Sequence, residues 1–355
     1  MSVDLIAATA ELVAIASVSR NEAALADHVE RVLRTCAWLR VDRVGDNVIA
    51  RTQLGRTERV AIAGHLDTVP PADNATPRVD GDTLYGLGSC DMKGGVAIML
   101  DLATTVSDPA FDVTWCFYRG EEIERSENGL VALFADRPDL LVADAAILCE
   151  PTGSLVEAGC QGAIRARIAL GGKRAHTARP YLGRNAIHRL APVLARAAAW
   201  EPRAVVLDGC EYVEQLSVVG IEGGVAANVV PDRAGVMLNF RFAPDRDCDG
   251  AQSYLAALFA DLVDPGQGDE YTVLDVGPSA PPKLAHPVLA KLLEATGRAP
   301  RAKLGWTDVA TFSSHGVPAT NFGPGNPDLA HQADEHVTRE SLDAAWSNLS
   351  ALISV

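Results

Sequence analysis

The apolar positions of this chain follow two rhythms. Nearly unbroken apolar runs at Val60–Gly64, Val113–Tyr118 and Ala145–Cys149 have the length and composition of parallel strands buried on both faces. Helical stripes surround them. Leu5, Leu12 and Ile15 mark a first helix. Ser19 followed by Glu22 reads as a capping box for a second, which ends near Cys36 and buries Leu25, Val29, Val32 and Leu33. Val41–Val44 and Val48–Thr52 read as adjacent strands turning at Gly45-Asp46, and residues 71–90, rich in Pro, Asp and Gly, as largely loop. Further helices are expected at about Gly94–Thr104, Gly129–Ala135, Pro287–Ala295, Phe312–His315 and Arg339–Ile353, with short strands at Arg301–Leu304 and Pro318–Phe322. Strands alternating with helices in this way predict a doubly wound α/β domain.

The middle of the chain changes register. An alternating strand at Ile164–Leu170 is followed by a helix at about Asn185–Ala199, strands at Leu216–Ile221, Ala226–Val230 and Gly235–Phe242, a helix at Ala251–Val263 and a strand at Tyr271–Val276. The order β-α-β-β-α-β, with one extra short strand, predicts a two-layer α+β unit of ferredoxin-like type inserted into the first domain. The expected division is residues 1–162 and 277–355 for the α/β domain and 163–276 for the insert.

Composition narrows the function. The 355 residues carry 46 acidic against 31 basic side chains, a formal charge of -15, which disfavours a nucleic-acid-binding surface. No apolar run is long enough to span a membrane, and the Met1-Ser-Val-Asp4 start has no basic segment of an export signal. Seven scattered cysteines lack the spacing of a disulfide framework or a Cys-x-x-Cys zinc site, so a cytoplasmic setting is expected. The glycine-rich stretch Gly86–Gly95 could suggest a dinucleotide loop. Its sixth position, however, is Asp91, a carboxylate that repels a pyrophosphate, and no Lys-Ser/Thr pair follows.

The chemistry lies at the strand ends. His65 and Asp67 follow the first run, Glu121 and Glu122 the second, and Glu150 the third; Asp91 and His331 lie in loops. Carboxylates crowded into one crevice are tolerable when cations sit among them. Two imidazoles and three carboxylates, one of them bridging, can complete a pair of divalent sites. Nitrogen and oxygen donors without thiolate suit zinc and also admit cobalt or manganese. Glu121, beside Glu122, is left over as a general base for a water shared by two ions. Asp67 is placed to accept the second ring N–H of His65.

The motifs resemble one family. Gly64-His-Leu-Asp-Thr-Val-Pro70, Gly88-Ser-Cys-Asp-Met-Lys-Gly-Gly95, Gly120-Glu-Glu122, Glu150-Pro-Thr152, Gly183-Arg-Asn-Ala-Ile-His188, Asn228-Val-Val-Pro-Asp232 and His331 together are similar to the di-zinc aminoacylase/desuccinylase peptidases. The resemblance implies that His65, Asp91 and Glu150 hold one zinc and Asp91, Glu122 and His331 the other. It also implies that Glu121 is the general base and that Asp67 supports His65. The insert would be a lid and a homodimer surface whose His176 reaches the oxyanion across the dimer. Asn228, Arg241, Arg179, Arg184 and Thr307 would meet substrate. Glu157-Ala-Gly-Cys-Gln-Gly162, Asn239–Arg246, Gly305-Trp-Thr-Asp308 and Asn321–Gly325 are nearest to the actinobacterial desuccinylase branch, which implies hydrolysis of N-succinyl-LL-2,6-diaminopimelate in lysine biosynthesis. Deacylation of another N-acyl amino acid such as acetylornithine, or a non-catalytic metal-binding dimer, are the alternatives. Two departures stand out: Gln161 replaces an arginine of many relatives, and Trp306 a small residue. Arg179, Arg184 or Arg301 is expected to restore the missing positive charge.

Overall fold

The computed structural model describes residues 4–354; Met1-Ser-Val3, part of the start read above as lacking an export signal, lies outside them. The three apolar runs form the centre of an eight-stranded mixed sheet. Its order is Arg40–Val44, Asn47–Arg51, Asp112–Tyr118, Arg59–His65, Ala145–Leu148, Ala319–Asn321, Glu157–Ala158 and Arg301–Ala302. Arg59–His65 runs parallel to both of its neighbours. The chain passes from it to Asp112–Tyr118 on one side and then to Ala145–Leu148 on the other, so the topological switch falls at His65. A ligand crevice is expected at such a point.

Both faces of the sheet are covered, and alternate residues of one strand serve different cores. Val60 and Ile62 pack with Leu5–Val13, Ala23–Leu33, Gly94–Thr105, Pro287–Thr296 and Arg339–Ile353, whereas Ala61 and Ala63 pack with Gly129–Asp136 and Val309–Ser314. This double burial explains why the central strands read as solid apolar runs. Helix Gly94–Thr105 buries ten of its twelve residues. Its first turn meets the strand that leads to Glu150 so closely that a Cβ at Gly95 would lie 2.4 Å from the Cys149 carbonyl oxygen.

The insert forms its own antiparallel sheet, ordered Gln215–Gly223, Arg233–Phe242, Gly162–Gly171 and Glu270–Gly277, with a separate core that includes Ile164, Ile168, Leu238, Phe240 and Leu255. Helices Ala191–Ala198 and Cys248–Phe259 contribute to that core, giving the ferredoxin-like order.

Several local expectations fail for physical reasons. Ala226–Val230 forms no strand; it makes a single bridge, Val229 to His176, because both long edges of the neighbouring strand Arg233–Phe242 are already paired. The expected helix at Asn185–Ala199 is interrupted at Leu190, ahead of Pro192, whose ring supplies no N–H to continue the ladder. Ser19 is not a cap: Glu22 precedes helix Ala23–Leu33, while the Ser19 hydroxyl donates to Asp67 at 2.8 Å. An unforeseen hairpin, Ala204–Leu207 with Cys210–Val213, leaves the insert and packs Tyr212 into the large core. Residues 71–90 are largely loop, as expected, and within them Arg78–Asp80 and Thr83–Tyr85 join His336–Thr338 in a small sheet that ties the Asp91 and His331 segments together. No helix among the described residues is long and apolar enough to cross a membrane.

Candidate metal centre

His65 ends its strand and is 1% exposed. Its Nδ1 lies 3.0 Å from the backbone carbonyl of Asp67 and 3.5 Å from the Asp67 carboxylate, so the carbonyl is the nearer acceptor. Either partner directs the other nitrogen, Nε2, toward Asp91 Oδ1 at 3.1 Å. The Asp67 carboxylate makes its shorter contacts elsewhere, accepting the backbone N–H groups of Glu121 at 3.0 Å and Glu122 at 3.1 Å and the Ser19 hydroxyl at 2.8 Å. Gly120, at φ 70°, gives the chain the left-handed turn that brings these two N–H groups round. Burial opposes the Asp67 charge, but the hydrogen bonds and His65 outweigh it and hold the carboxyl down at about 2.

Asp91 stands between two histidines. Its Oδ2 is 3.6 Å from His331 Nε2, and His331 is in turn 2.8 Å from Glu122 Oε1. Donor atoms of His65, Asp91 and Glu150 all lie within 4.8 Å of one another, as do those of Asp91, Glu122 and His331, so Asp91 belongs to both groups. Glu121 forms a third such group with His65 and Glu122. His331 adopts φ 64°, uncommon for a residue with a side chain.

The electrostatics of this cluster favour a cation. Burial pushes Glu121 well above the ordinary carboxylate range, with the Glu150 charge adding to it. Burial also raises Glu150, to about 7, and Asp91 and Glu122 contribute to the rise. Contact with Glu122 raises His331 to about 9. Glu150 Oε1 is buried without a hydrogen-bond partner. An orphaned carboxylate oxygen facing other carboxylates is costly unless a positive ion shares the space. Imidazole and carboxylate donors with one shared aspartate therefore fit two adjacent divalent ions.

Two supporting residues escaped the sequence. Glu335, 1% exposed, accepts the N–H groups of both Cys90 and Asp91 at 3.0 Å each and so fixes the shared aspartate from a point four residues beyond His331. Asp308, fully buried, accepts from Asn128 at 2.7 Å and Thr311 at 2.6 Å, and its charge acts on Glu121. The short spacing from His331 to Glu335 is a signal that could have found the first.

The residues expected to meet substrate are more dispersed. His176 belongs to none of the donor groups; it is exposed, and its Nδ1 accepts the Ala178 N–H at 3.0 Å. Asn228 and Arg179 are exposed, and Arg184 pairs with Gln267 within the insert. Arg241 is half-buried with its Nε 3.2 Å from Asn239. The Thr307 hydroxyl is turned inward to Asn321 at 2.9 Å. Arg301 reaches Glu157 at 2.7 Å and the Thr152 carbonyl at 3.2 Å. Gln161 donates to Val213 at 2.9 Å, and Trp306 to Pro278 at 3.0 Å.

Comparison with known proteins identifies the family. The chain is 47% identical over 343 residues to a Mycobacterium tuberculosis protein provisionally named succinyl-diaminopimelate desuccinylase DapE, with 96% of each chain covered. It is 43% identical over 357 residues to the succinyl-diaminopimelate desuccinylase of Corynebacterium glutamicum, covering 99% of this chain and 96% of that one. Among solved structures, the M20 family metallo-carboxypeptidase Sso-CP2 of Sulfolobus solfataricus superposes with a TM-score of 0.77 at 16% identity, covering 99% and 98% of the two chains. The Bacillus subtilis YXEP protein, described as a dinuclear metal binding peptidase, gives 0.70 at 16% identity, covering 98% and 96%. Residues 61–354 match the profile of Peptidase family M20/M25/M40, and with the α/β fold and a carboxylate–imidazole cluster at its switch point, the chain belongs to that family.

Proposed function

We propose that this protein is a di-zinc amidohydrolase that cleaves N-succinyl-LL-2,6-diaminopimelate to succinate and LL-2,6-diaminopimelate, a cytoplasmic step of lysine biosynthesis. The observation that carries it is the pair of donor groups sharing Asp91, with Glu121 beside them and not needed by either. The substrate rests on the names of the relatives at 47% and 43% identity. His65, Asp91 and Glu150 would hold one ion, and Asp91, Glu122 and His331 the other. Two bound divalent ions would supply carbonyl polarisation and a water acidic enough to attack near neutral pH.

The chain's own residues then do the proton work. Glu121 takes a proton from the water as its oxygen attacks the amide carbon, and returns that proton to the nitrogen as the C–N bond breaks. Asp67 keeps Glu121 and Glu122 at their posts through their backbone N–H groups. The insert, residues 163–276, acts as lid and homodimer surface, bringing His176 to the oxyanion and Asn228, Arg241, Arg179 and Arg184 to the substrate's polar ends, where Thr307 of the α/β domain joins them. Its edge strand Gln215–Gly223 supports a dimer role, since Val219 and Ile221 are 59% and 60% exposed on an unpaired edge. Turnover of succinyl-diaminopimelate against acetylornithine by zinc-loaded protein tests the proposal. Faster cleavage of the succinyl substrate is expected, and preference for acetylornithine, or no cleavage of either by protein carrying two zinc ions, refutes it.

A further inference from the structure

The loop that carries Glu121 and Glu122 is pinned at its two ends. The Gly129 N–H donates to the Arg119 carbonyl at 2.8 Å and closes the loop, and the Asn128 amide donates to Asp308 at 2.7 Å. At the other end Asp67 accepts the N–H groups of Glu121 and Glu122. Between these anchors Ile123–Glu127 has one short helical turn, Arg125–Glu127, whose N–H groups bond only within the loop. Among the described residues, the hydrogen bonds of Ile123–Glu127 to the chain outside 119–129 come from a single side chain, that of Arg20.

Arg20 grips this stretch at three points. Its Nε donates to Glu127 Oε2 at 2.9 Å, and its Nη2 donates to Glu127 Oε1 at 2.6 Å and to Glu124 Oε2 at 3.0 Å. The Glu127 contact is two-pronged, the arrangement in which guanidinium and carboxylate fit best. The support from which Arg20 reaches is itself fixed to the segment that ends in Asp67. The Thr68 N–H donates to the Ser17 carbonyl at 3.0 Å, the Ser19 N–H to the Thr68 carbonyl at 3.1 Å, and the Ser19 hydroxyl to the Asp67 carboxylate at 2.8 Å. Arg20 has φ 74°, a left-handed conformation uncommon for a residue with a side chain, and such a residue persists where its surroundings over-determine it. Neighbouring residues thus serve one loop: Ser19 through Asp67 beneath Glu121 and Glu122, Arg20 through Glu124 and Glu127 beyond them. Arg20 and Glu127 are 54% and 40% exposed, so their pairing adds little to overall stability and its effect is local.

We propose that Arg20 is a positioning residue of the hydrolysis, holding through Glu124 and Glu127 the loop from which Glu121 and Glu122 reach the metal centre. The inference rests on the proposed function. Glu124 lies three residues from Glu121 and two from Glu122, so slack in this stretch passes to the base and to a ligand. Misplacing a reacting group by about 1 Å can cost as much as about 100-fold in rate, and the groups that bind the substrate's ends are not on this loop. The loss therefore falls on kcat and not on KM.

The test compares zinc-loaded wild type, Arg20→Asn, Arg20→Lys and the double variant Glu124→Gln/Glu127→Gln on N-succinyl-diaminopimelate. Asparagine tolerates the left-handed backbone, so Arg20→Asn removes the guanidinium alone. Its kcat should fall about 5- to 100-fold at equal zinc content, with KM within about 2-fold of wild type. Amide hydrogen exchange of the peptide containing Glu121 and Glu122 should quicken by about 5-fold or more, while that of strand Arg59–His65 stays as in wild type. Arg20→Lys should recover part of the lost kcat, and adding Arg20→Asn to the double variant should cause no further loss. The double variant gives the same readouts if Arg20→Asn does not fold. A kcat within about 2-fold of wild type, or unchanged exchange in the loop, overturns the role of Arg20. Zinc-loaded wild type that does not cleave the substrate overturns the proposed function; the exchange measurement needs no turnover, and there faster exchange still supports the grip of Arg20 on the loop and unchanged exchange overturns it.

Discussion

Replacing Glu121 with glutamine separates proton transfer from everything else at the centre. The side chain keeps its size, and its backbone N–H still bonds to Asp67 at 3.0 Å, so the Glu122 loop should hold its position. The lost element is a base beside the water. General base catalysis contributes about 10²- to 10⁴-fold, so kcat should fall by that factor, equivalent to about 3–5.5 kcal/mol of barrier. Stability should move the other way. Glu121 is a buried carboxyl pushed up by its surroundings and by the Glu150 charge, and a neutral amide relieves both before any ion binds. The metal-free variant should therefore melt no lower than the wild type. Steady-state kinetics, zinc content by atomic emission and calorimetry on one preparation give all three readouts. Turnover within about 3-fold of wild type at equal zinc content is far below the smallest loss expected of a base and would remove Glu121 from that role.

Three further perturbations test the supporting structure. Asp67→Asn puts an amide group where two backbone N–H groups and Ser19 now donate, and should weaken metal affinity about 10- to 100-fold by competition titration; unchanged affinity would mean the carboxylate does not organise the ligands. Glu335→Ala leaves the buried N–H groups of Cys90 and Asp91 unpaired and should cost about 2–4 kcal/mol in urea unfolding, with weaker metal binding than wild type; a loss under 1 kcal/mol would refute its anchoring role. Asp269 in the insert forms a two-pronged pair with Arg189 at 2.6 and 2.7 Å, and although burial opposes its charge these contacts lower it from 3.8 to about 2. Because the folded pKa lies below the unfolded one, its contribution of about 2.4 kcal/mol is complete above pH 3.8 and disappears as pH falls toward 2. Asp269→Asn should flatten acid unfolding over that interval, and an identical acid limb in the variant would contradict the assignment.

Much of the catalytic half was legible because its physics is local to the chain. Strands covered on both faces must be apolar throughout, so the runs ending at His65, Tyr118 and Leu148 announced themselves, and the residues just past them were the natural place for ligands. Where contacts come from far along the chain, the pattern was silent. Glu335 looks like an ordinary surface charge in sequence, and is buried because the N–H groups of Cys90 and Asp91 lie across from it in the fold. Ser19 satisfied a local capping rule, yet its hydroxyl found a stronger acceptor in the ionised Asp67, 48 residues away. Ala226–Val230 had the composition of a strand, but the strand that follows it, Arg233–Phe242, is already paired along both edges. The hairpin at Ala204–Val213 was missed for the opposite reason, since its short runs gain their burial from a domain other than their own.

The place of Ala319–Asn321 in the large sheet sets the order in which a growing polypeptide can complete itself. This late strand fits between Ala145–Leu148 and Glu157–Ala158, and His331 and Glu335 come later still. While the ribosome is still working, the insert can close on its own antiparallel pairings, but Asp91, Glu122 and Glu150 remain without their second imidazole and their tether. On the proposed function, loading of two ions would therefore follow synthesis, and a prematurely terminated chain would carry exposed sheet edges and an anionic half-site.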